Sequence, residues 1–149
     1  DVNQTMCFMP KAIKPSKFDT CACYSGKLYH KCCQPLHDGA AAPDALALMR
    51  SRYAAYSLSL AKYIVDTTDP AGDLYQSDTQ KWLKEILLFS SQMTFTGLTI
   101  IEFVDGTDSA TVSFKAHLNA QGNDVSLSEK SQFYKHDGRW FYHSGVSLQ

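Results

Sequence analysis

Four of the five cysteines fall within thirteen residues, Cys21 to Cys33, with the spacing C-x-C-x8-C-C. Few physical explanations fit such clustering. Thiolates this close together can converge on one soft cation, and a tetrahedral four-sulfur site suits zinc best. Ser25-Gly26 gives the backbone room to turn, so Cys32 and Cys33 can come back toward Cys21 and Cys23. Lys27 and Lys31 are placed to offset the negative charge of four thiolates. Disulfides are the rival reading. They would tie each cysteine to a near neighbour, with strain in a Cys32–Cys33 bridge and a very tight ring in a Cys21–Cys23 bridge. The C-x-x-C spacing of a redox pair is absent from the sequence. A four-sulfur site has no open position and is structural rather than catalytic. His30 is the one nearby residue able to replace a cysteine, and otherwise reads as a surface or supporting group. Cys7 lies too far away to share the pattern and reads as an idle or buried thiol.

A chain of 149 residues can build one sizeable core plus a small appendage. The formal net charge is −1 and the basic residues are scattered, so neither nucleic acid nor an anionic membrane is expected as a partner. No apolar run approaches the roughly 20 residues that span a bilayer. No signal peptide is visible in the sequence, and clustered free thiolates fit a reducing compartment, which makes the cytoplasm the expected location.

Residues 1–20 carry no helical or strand period and read as a leader arm. Residues 21–37 are the metal-binding segment. Residues 34–43, with Pro35, Gly39 and three alanines, read as a linker in which His37 is exposed. The main domain spans residues 43–149. Pro43 and Asp44 open a helix whose apolar face carries Leu46, Met49, Tyr53, Tyr56 and Leu60, flanked by Arg50 and Arg52. A break is expected near residues 57–59, before Tyr63, Ile64 and Val65. Thr79 to Ser90 forms another helix, with Trp82, Leu83, Ile86, Leu87 and Phe89 on its apolar side. From Thr94 the period switches to two. Phe95 to Val104 has apolar residues on both faces and reads as a strand interior to its sheet. Ala110 to Leu118 alternates apolar and polar residues, as a half-buried strand does. A longer loop over 119–124 leads to a strand bearing Val125, Leu127, Glu129, Ser131 and Phe133 on one face. A turn at His136-Asp-Gly-Arg139 precedes a final strand, Trp140 to Val146. The expected class is α+β, with N-terminal helices packed on a curved antiparallel sheet of four or more strands.

The run from Cys21 to Cys33 resembles the SEC-C motif, the zinc-binding element at the C-terminus of the SecA translocation ATPase. The match falls on Cys21, Cys23, Ser25, Gly26, Lys27, Tyr29, Cys32 and Cys33, and the chain departs at Tyr24, where the motif usually has Gly. The segments Leu-Met-Arg-Ser-Arg-Tyr53, Ser-Glu-Lys-Ser-Gln-Phe133 and Gly-Arg-Trp-Phe-Tyr142 resemble the YchJ-like family of bacterial SEC-C proteins. That resemblance implies a nuclear-transport-factor-2-like (NTF2-like) cone behind the zinc knob, and a dimer through the sheet face. It also implies a protein partner tied to chaperones, the ribosome or secretion.

Glu129 breaks its own pattern, because the alternation puts it on the apolar face, where an unpaired carboxylate is costly. Arg52 is the expected partner. The plain outcome is a structural ion pair fixing helix to sheet. The sharper one is a pocket of Arg52, Tyr53, Tyr56 and Glu129 that moves protons or binds a ligand. His117, His143, Asp66 and Asp69 form no distinctive catalytic order, and Asp66 and Asp69 read as turn-formers before Pro70. Two functions follow. One is an interaction module that presents Tyr24, Lys27, Leu28, Tyr29 and Lys31 to a protein partner, with the cone as scaffold or small-ligand holder. The alternative is a small isomerase-, dehydratase- or hydrolase-type enzyme working in the cone around Glu129 and Arg52.

Overall fold

The computed structural model describes Ser16 and residues 18–148. The leader arm is therefore described only at its end, and Cys7 lies outside the described residues. The chain opens as a knob. Thr20 bridges Leu28, a single 3-10 turn covers Tyr29–Lys31, and a short helix α1 covers Gln34–His37. The expected linker is thus helical over its first four residues, with Pro35 in the first turn, where its missing N–H costs nothing.

Helix α2, Ala45–Ser57, starts where Asp44 caps it, its Oδ1 accepting the Ala47 N–H at 2.8 Å. It ends at the expected break, where Ser59 takes a left-handed φ of 61°. Helix α3, Ala61–Asp66, follows at once. Helix α4, Thr79–Gln92, is capped by Asp78 in the same manner. The spacing predicts one apolar face for α2, but eight of its thirteen residues are buried. The reason is tertiary. Leu48, Met49 and Tyr53 pack on the sheet, Ala54 on the knob, and Ala55 on α3 and α4. A helix enclosed on three sides needs small residues wherever a neighbour comes close, and Ala45, Ala54 and Ala55 are fully buried. Each large side chain in this core, such as Phe133 at 1% exposure, contributes roughly 1.5–3 kcal/mol.

Strands β1 (Thr94–Val104), β2 (Ser109–Ala120), β4 (Leu127–His136) and β5 (Arg139–Ser147) form an antiparallel sheet in the order β1-β2-β4-β5, with the two-residue β3 (Asn123–Asp124) pairing β2. β1 lies at an edge of this sheet and not in its interior. Two register shifts, between Phe95 and Gly97 and between Ile100 and Glu102, interrupt its alternation. Apolar residues therefore fall on both faces in sequence, while Ile101 and Val104 face solvent. The loop expected over 119–124 is a tight turn at Gln121-Gly122, both with positive φ. That twist matches the flanking strands, as does the Asp137-Gly138 turn. No described helix is long and apolar enough to cross a membrane.

Candidate functional site

The knob gathers the four sulfurs of Cys21, Cys23, Cys32 and Cys33 within 4.8 Å of one another. Cys23 and Cys32 Sγ are 3.5 Å apart, and Cys32 and Cys33 Sγ are 3.9 Å apart. A tetrahedral zinc site with bonds of about 2.3 Å needs sulfurs roughly 3.8 Å apart, whereas a disulfide needs about 2.05 Å. All four cysteines are free of disulfides. The donor set therefore fits a divalent cation. Hydrogen bonds from the Cys21 thiol, and then from that of Cys33, hold the Cys23 thiol far below its ordinary range. The same contact with Cys23 pushes Cys21 up to about 12, and hydrogen bonds with Cys21 and Cys23 raise Cys33. Four thiolates at this spacing coexist only around a cation.

The backbone makes this arrangement. Cys21 N–H donates to Lys27 O at 2.8 Å and Cys32 N–H to Tyr29 O at 3.0 Å, which folds the two cysteine pairs together. Ser25 Oγ lies 3.2 Å from Cys32 Sγ. The cation that reaches the cluster is Arg50 of α2, whose Nη1 donates to Cys23 O at 3.1 Å and lies 4.0 Å from Cys23 Sγ. Lys27 and Lys31 stay exposed. Arg50 had only its position beside the helix face to signal this role. His37 is half-buried rather than exposed. Ser51 O can only accept, so His37 Nε2 carries the proton toward it at 2.8 Å, and Nδ1 accepts from the Tyr29 hydroxyl at 2.7 Å.

The expected partner-facing residues divide. Lys27 and Lys31 are exposed and Leu28 is half-buried, but Tyr29 is 1% exposed and forms part of the knob's core. Burial, together with the neighbouring cysteines, raises its hydroxyl pKa. Tyr24 is 51% exposed, yet its hydroxyl donates to Phe95 O at 2.8 Å and its ring meets that of Tyr53 edge-on.

Behind α2, on the side away from the knob, a cavity of about 330 Å³ opens between helices and sheet. Arg52, Tyr53, Tyr56 and Glu129 are among the residues that line it. The expected Arg52–Glu129 ion pair is not formed. Arg52, 5% exposed, spends Nη1 on Ile64 O, Thr67 Oγ1 and Thr68 Oγ1 at 2.8–3.1 Å, and its guanidinium lies 4.8 Å over the Tyr142 ring. Glu129 instead accepts from the Ser131 hydroxyl at 2.6 Å and the Tyr142 hydroxyl at 3.0 Å. The Arg52 guanidinium is committed to the end of α3, and Tyr142 links the two charges, its ring under the guanidinium and its hydroxyl on the carboxylate. Burial lowers the Arg52 pKa, and burial with the nearby Glu129 raises that of Tyr142. The Tyr53 hydroxyl is committed too: it donates to Gly97 O at 2.7 Å and accepts from Gly97 N at 3.2 Å, pinning the first β1 bulge. Its pKa is pushed up to about 12, chiefly by burial. Tyr142 and Ser131 are the site residues that sequence reading missed, although each shares the inward parity of Trp140 or Glu129. Asp69 lies outside the cavity lining and latches His136 at 3.0 Å; Asp66 pairs with Lys62 in solvent.

The family model for the YchJ middle NTF2-like domain matches residues 44–145, the cone from α2 to β5. The chain belongs to the YchJ family. Among curated relatives, a UPF0225 protein of Deinococcus radiodurans is 38% identical over 84% of this chain and 87% of its own length. Another UPF0225 protein, from Shewanella sp. strain ANA-3, is 36% identical over 87% of this chain and 81% of its own. A solution structure of a SEC-C motif containing protein from Rhodopseudomonas palustris superposes with a TM-score of 0.74. It is 35% identical and covers 87% of this chain and 98% of its own. The crystal structure of a SEC-C motif containing protein from Psychrobacter arcticus gives 0.68 at 27% identity, covering 96% of this chain and 81% of its own. The fold is NTF2-like, and the cysteine cluster occupies the place of the SEC-C motif.

Proposed function

We propose that Cys21, Cys23, Cys32 and Cys33 hold one structural zinc ion, and that this staple fixes the knob to α2 of a cone whose cavity holds a small ligand. The observation that carries this reading is the cavity wall, where a carboxylate, a buried guanidinium and a ring of aromatic side chains meet in a space of about 330 Å³, the lower end of ordinary ligand sites. The donor set of four soft sulfurs supports zinc, and its closed shell supports a structural role. Reduced thiols of this kind suit a reducing compartment such as the cytoplasm.

Elemental analysis of protein purified without chelator or metal-affinity resin tests the staple. The expected result is about one zinc per chain, with four thiols unreactive until a chelator removes the metal. A folded protein with no metal would overturn it. For the cavity, thermal-shift binding of small aromatic probes is expected in the native chain and lost in Ala116→Trp, which fills the space. Equal binding by both would place the probes elsewhere.

A second reading concerns the knob. Lys27 and Lys31 are exposed beside Tyr24, and by resemblance to the SecA motif they suit an acidic protein or ribosomal partner. Co-sedimentation with purified ribosomes, weakened in the Lys27→Glu, Lys31→Glu double variant, is the expected outcome. No co-sedimentation of the native chain would remove the ribosome from this reading.

A further inference from the structure

Both hydrogen bonds that Glu129 accepts fall on one oxygen, Oε2. Its other oxygen, Oε1, accepts from none of the described residues. The side chain lines the cavity, and Oε1 is not among the described polar atoms that are buried without a partner. An open acceptor therefore stands in a largely apolar wall.

The arrangement is held firmly. Gly145 lies across from Ser131 on β5, and a Cβ there would run into Oε2 of Glu129 and come within 2.8 Å of the Tyr142 hydroxyl. The missing side chain is what lets the carboxylate lie against the strand with both donors on Oε2. The charge balance is fixed as well. The Arg52 guanidinium stacks on the ring of the same Tyr142 that donates to Glu129. The wall's sheltered charges are thus one positive and one negative, close together, while its second carboxylate, Glu85, is solvent-exposed and accepts from Gln76 at 2.8 Å. A ligand with a charge of its own would leave one buried charge uncompensated, which is costly in so apolar a space. Phe114, Phe133, Phe95, Phe89 and Trp82 supply much of the apolar lining.

Building on the ligand-holding reading above, we propose that the cone selects small, uncharged, largely apolar molecules carrying one O–H or N–H donor, which they give to Oε1 of Glu129. The class is that of a phenol, an indole or a simple alcohol with an apolar body. Anions meet the Glu129 carboxylate, cations meet Arg52, and pure acceptors find no donor at Oε1.

The test uses the full zinc-loaded chain and ligand-observed NMR titrations with matched probes: p-cresol, toluene, acetophenone, benzoate and benzylammonium. The native chain is expected to bind p-cresol about tenfold more tightly than toluene or acetophenone, the worth of one hydrogen bond to a charged acceptor. Benzoate and benzylammonium are expected to bind more weakly than p-cresol. Glu129→Gln makes a sharper prediction. The Ser131 and Tyr142 hydroxyls can donate or accept, so the amide turns either its NH₂ or its carbonyl oxygen into the cavity, and neither is a charged acceptor. The preference for p-cresol over acetophenone therefore shrinks or inverts. Binding of all probes with no preference for the donor, or a preference of unchanged size in Glu129→Gln, overturns this proposal but leaves the ligand-holding cavity standing. Binding of none of them overturns both. Tightest binding of benzylammonium or benzoate shows that the wall's charges do not cancel and also overturns it.

Discussion

Tyr24 shows at the scale of one residue how this chain spends strain. It stands where the SEC-C motif usually has Gly, and its φ is 62°. Left-handed backbone costs a non-glycine residue roughly 1–2 kcal/mol. The chain accepts that cost because the side chain reaches across to β1, where its hydroxyl meets Phe95 O and its ring meets Tyr53. The glycine of the usual motif makes a turn; the tyrosine makes a turn and a tether. Tyr24→Phe keeps the ring and the backbone but removes the hydrogen bond. It is expected to lower stability by about 0.5–1.5 kcal/mol in urea denaturation. A variant as stable as the native chain would mean that solvent serves the hydroxyl equally well.

At the scale of elements, the cone depends on how α2 is joined to α3 and to β5. Arg52 is the joint: one guanidinium nitrogen serves Ile64 O and the hydroxyls of Thr67 and Thr68, and the group stacks on Tyr142. The Thr67–Thr68 segment in turn docks beside β5, with Tyr142 N–H donating to Thr67 O at 2.9 Å and Thr68 forming a parallel bridge to Tyr142. Arg52→Met is expected to cost about 1.5–3 kcal/mol, the range for hydrogen bonds to a charged group, measured by denaturant unfolding. The loss should exceed that of Arg50→Met, because Arg50 is only half-buried and its carbonyl partner can be reached by water. The helical spacing announced these elements. It did not announce that α2 is enclosed on three sides, because a stripe of Leu, Met and Tyr reads the same whether the opposite face meets solvent or a knob. The β1 bulges hid the strand's position for a related reason: an extra residue shifts the parity, and apolar residues on both faces mimic a buried strand.

Across the whole molecule, the loop after α3 is latched to the sheet by Asp69, whose side chain is 5% exposed. Burial alone would raise its pKa. The Ala71 N–H, at 2.9 Å, and the neighbouring His136 outweigh burial and hold it below its ordinary value of 3.8, with a smaller push from His143. Because the folded value is depressed, the contribution to stability is fully present above pH 3.8. It is lost as pH falls from there through the lower folded value. Asp69→Asn is expected to be less stable than the native chain at neutral pH and to lose less stability on acidification. Parallel denaturation curves at both ends of that window check this, and identical acid losses would show that the latch does not titrate.

Much of this protein was legible from its sequence alone. Four cysteines in C-x-C-x8-C-C, the helix opening at Asp44, the break near Ser59 and the Asp137-Gly138 turn are local chemistry, set by spacing and by which residues tolerate which backbone angles. The inward place of Glu129 is likewise fixed by strand parity. What the tertiary structure decided is which groups meet. Reach and competition settled that Arg52 spends its donors on α3, that Tyr142 and Ser131 take Glu129, and that Arg50 rather than a lysine of the knob attends the sulfurs. Apart from Ser131, which neighbours Glu129 on the same strand face, those choices join residues 12 to 27 positions apart. No local pattern encodes them, because hydrogen bonds over such separations are selected by packing geometry after the elements have formed.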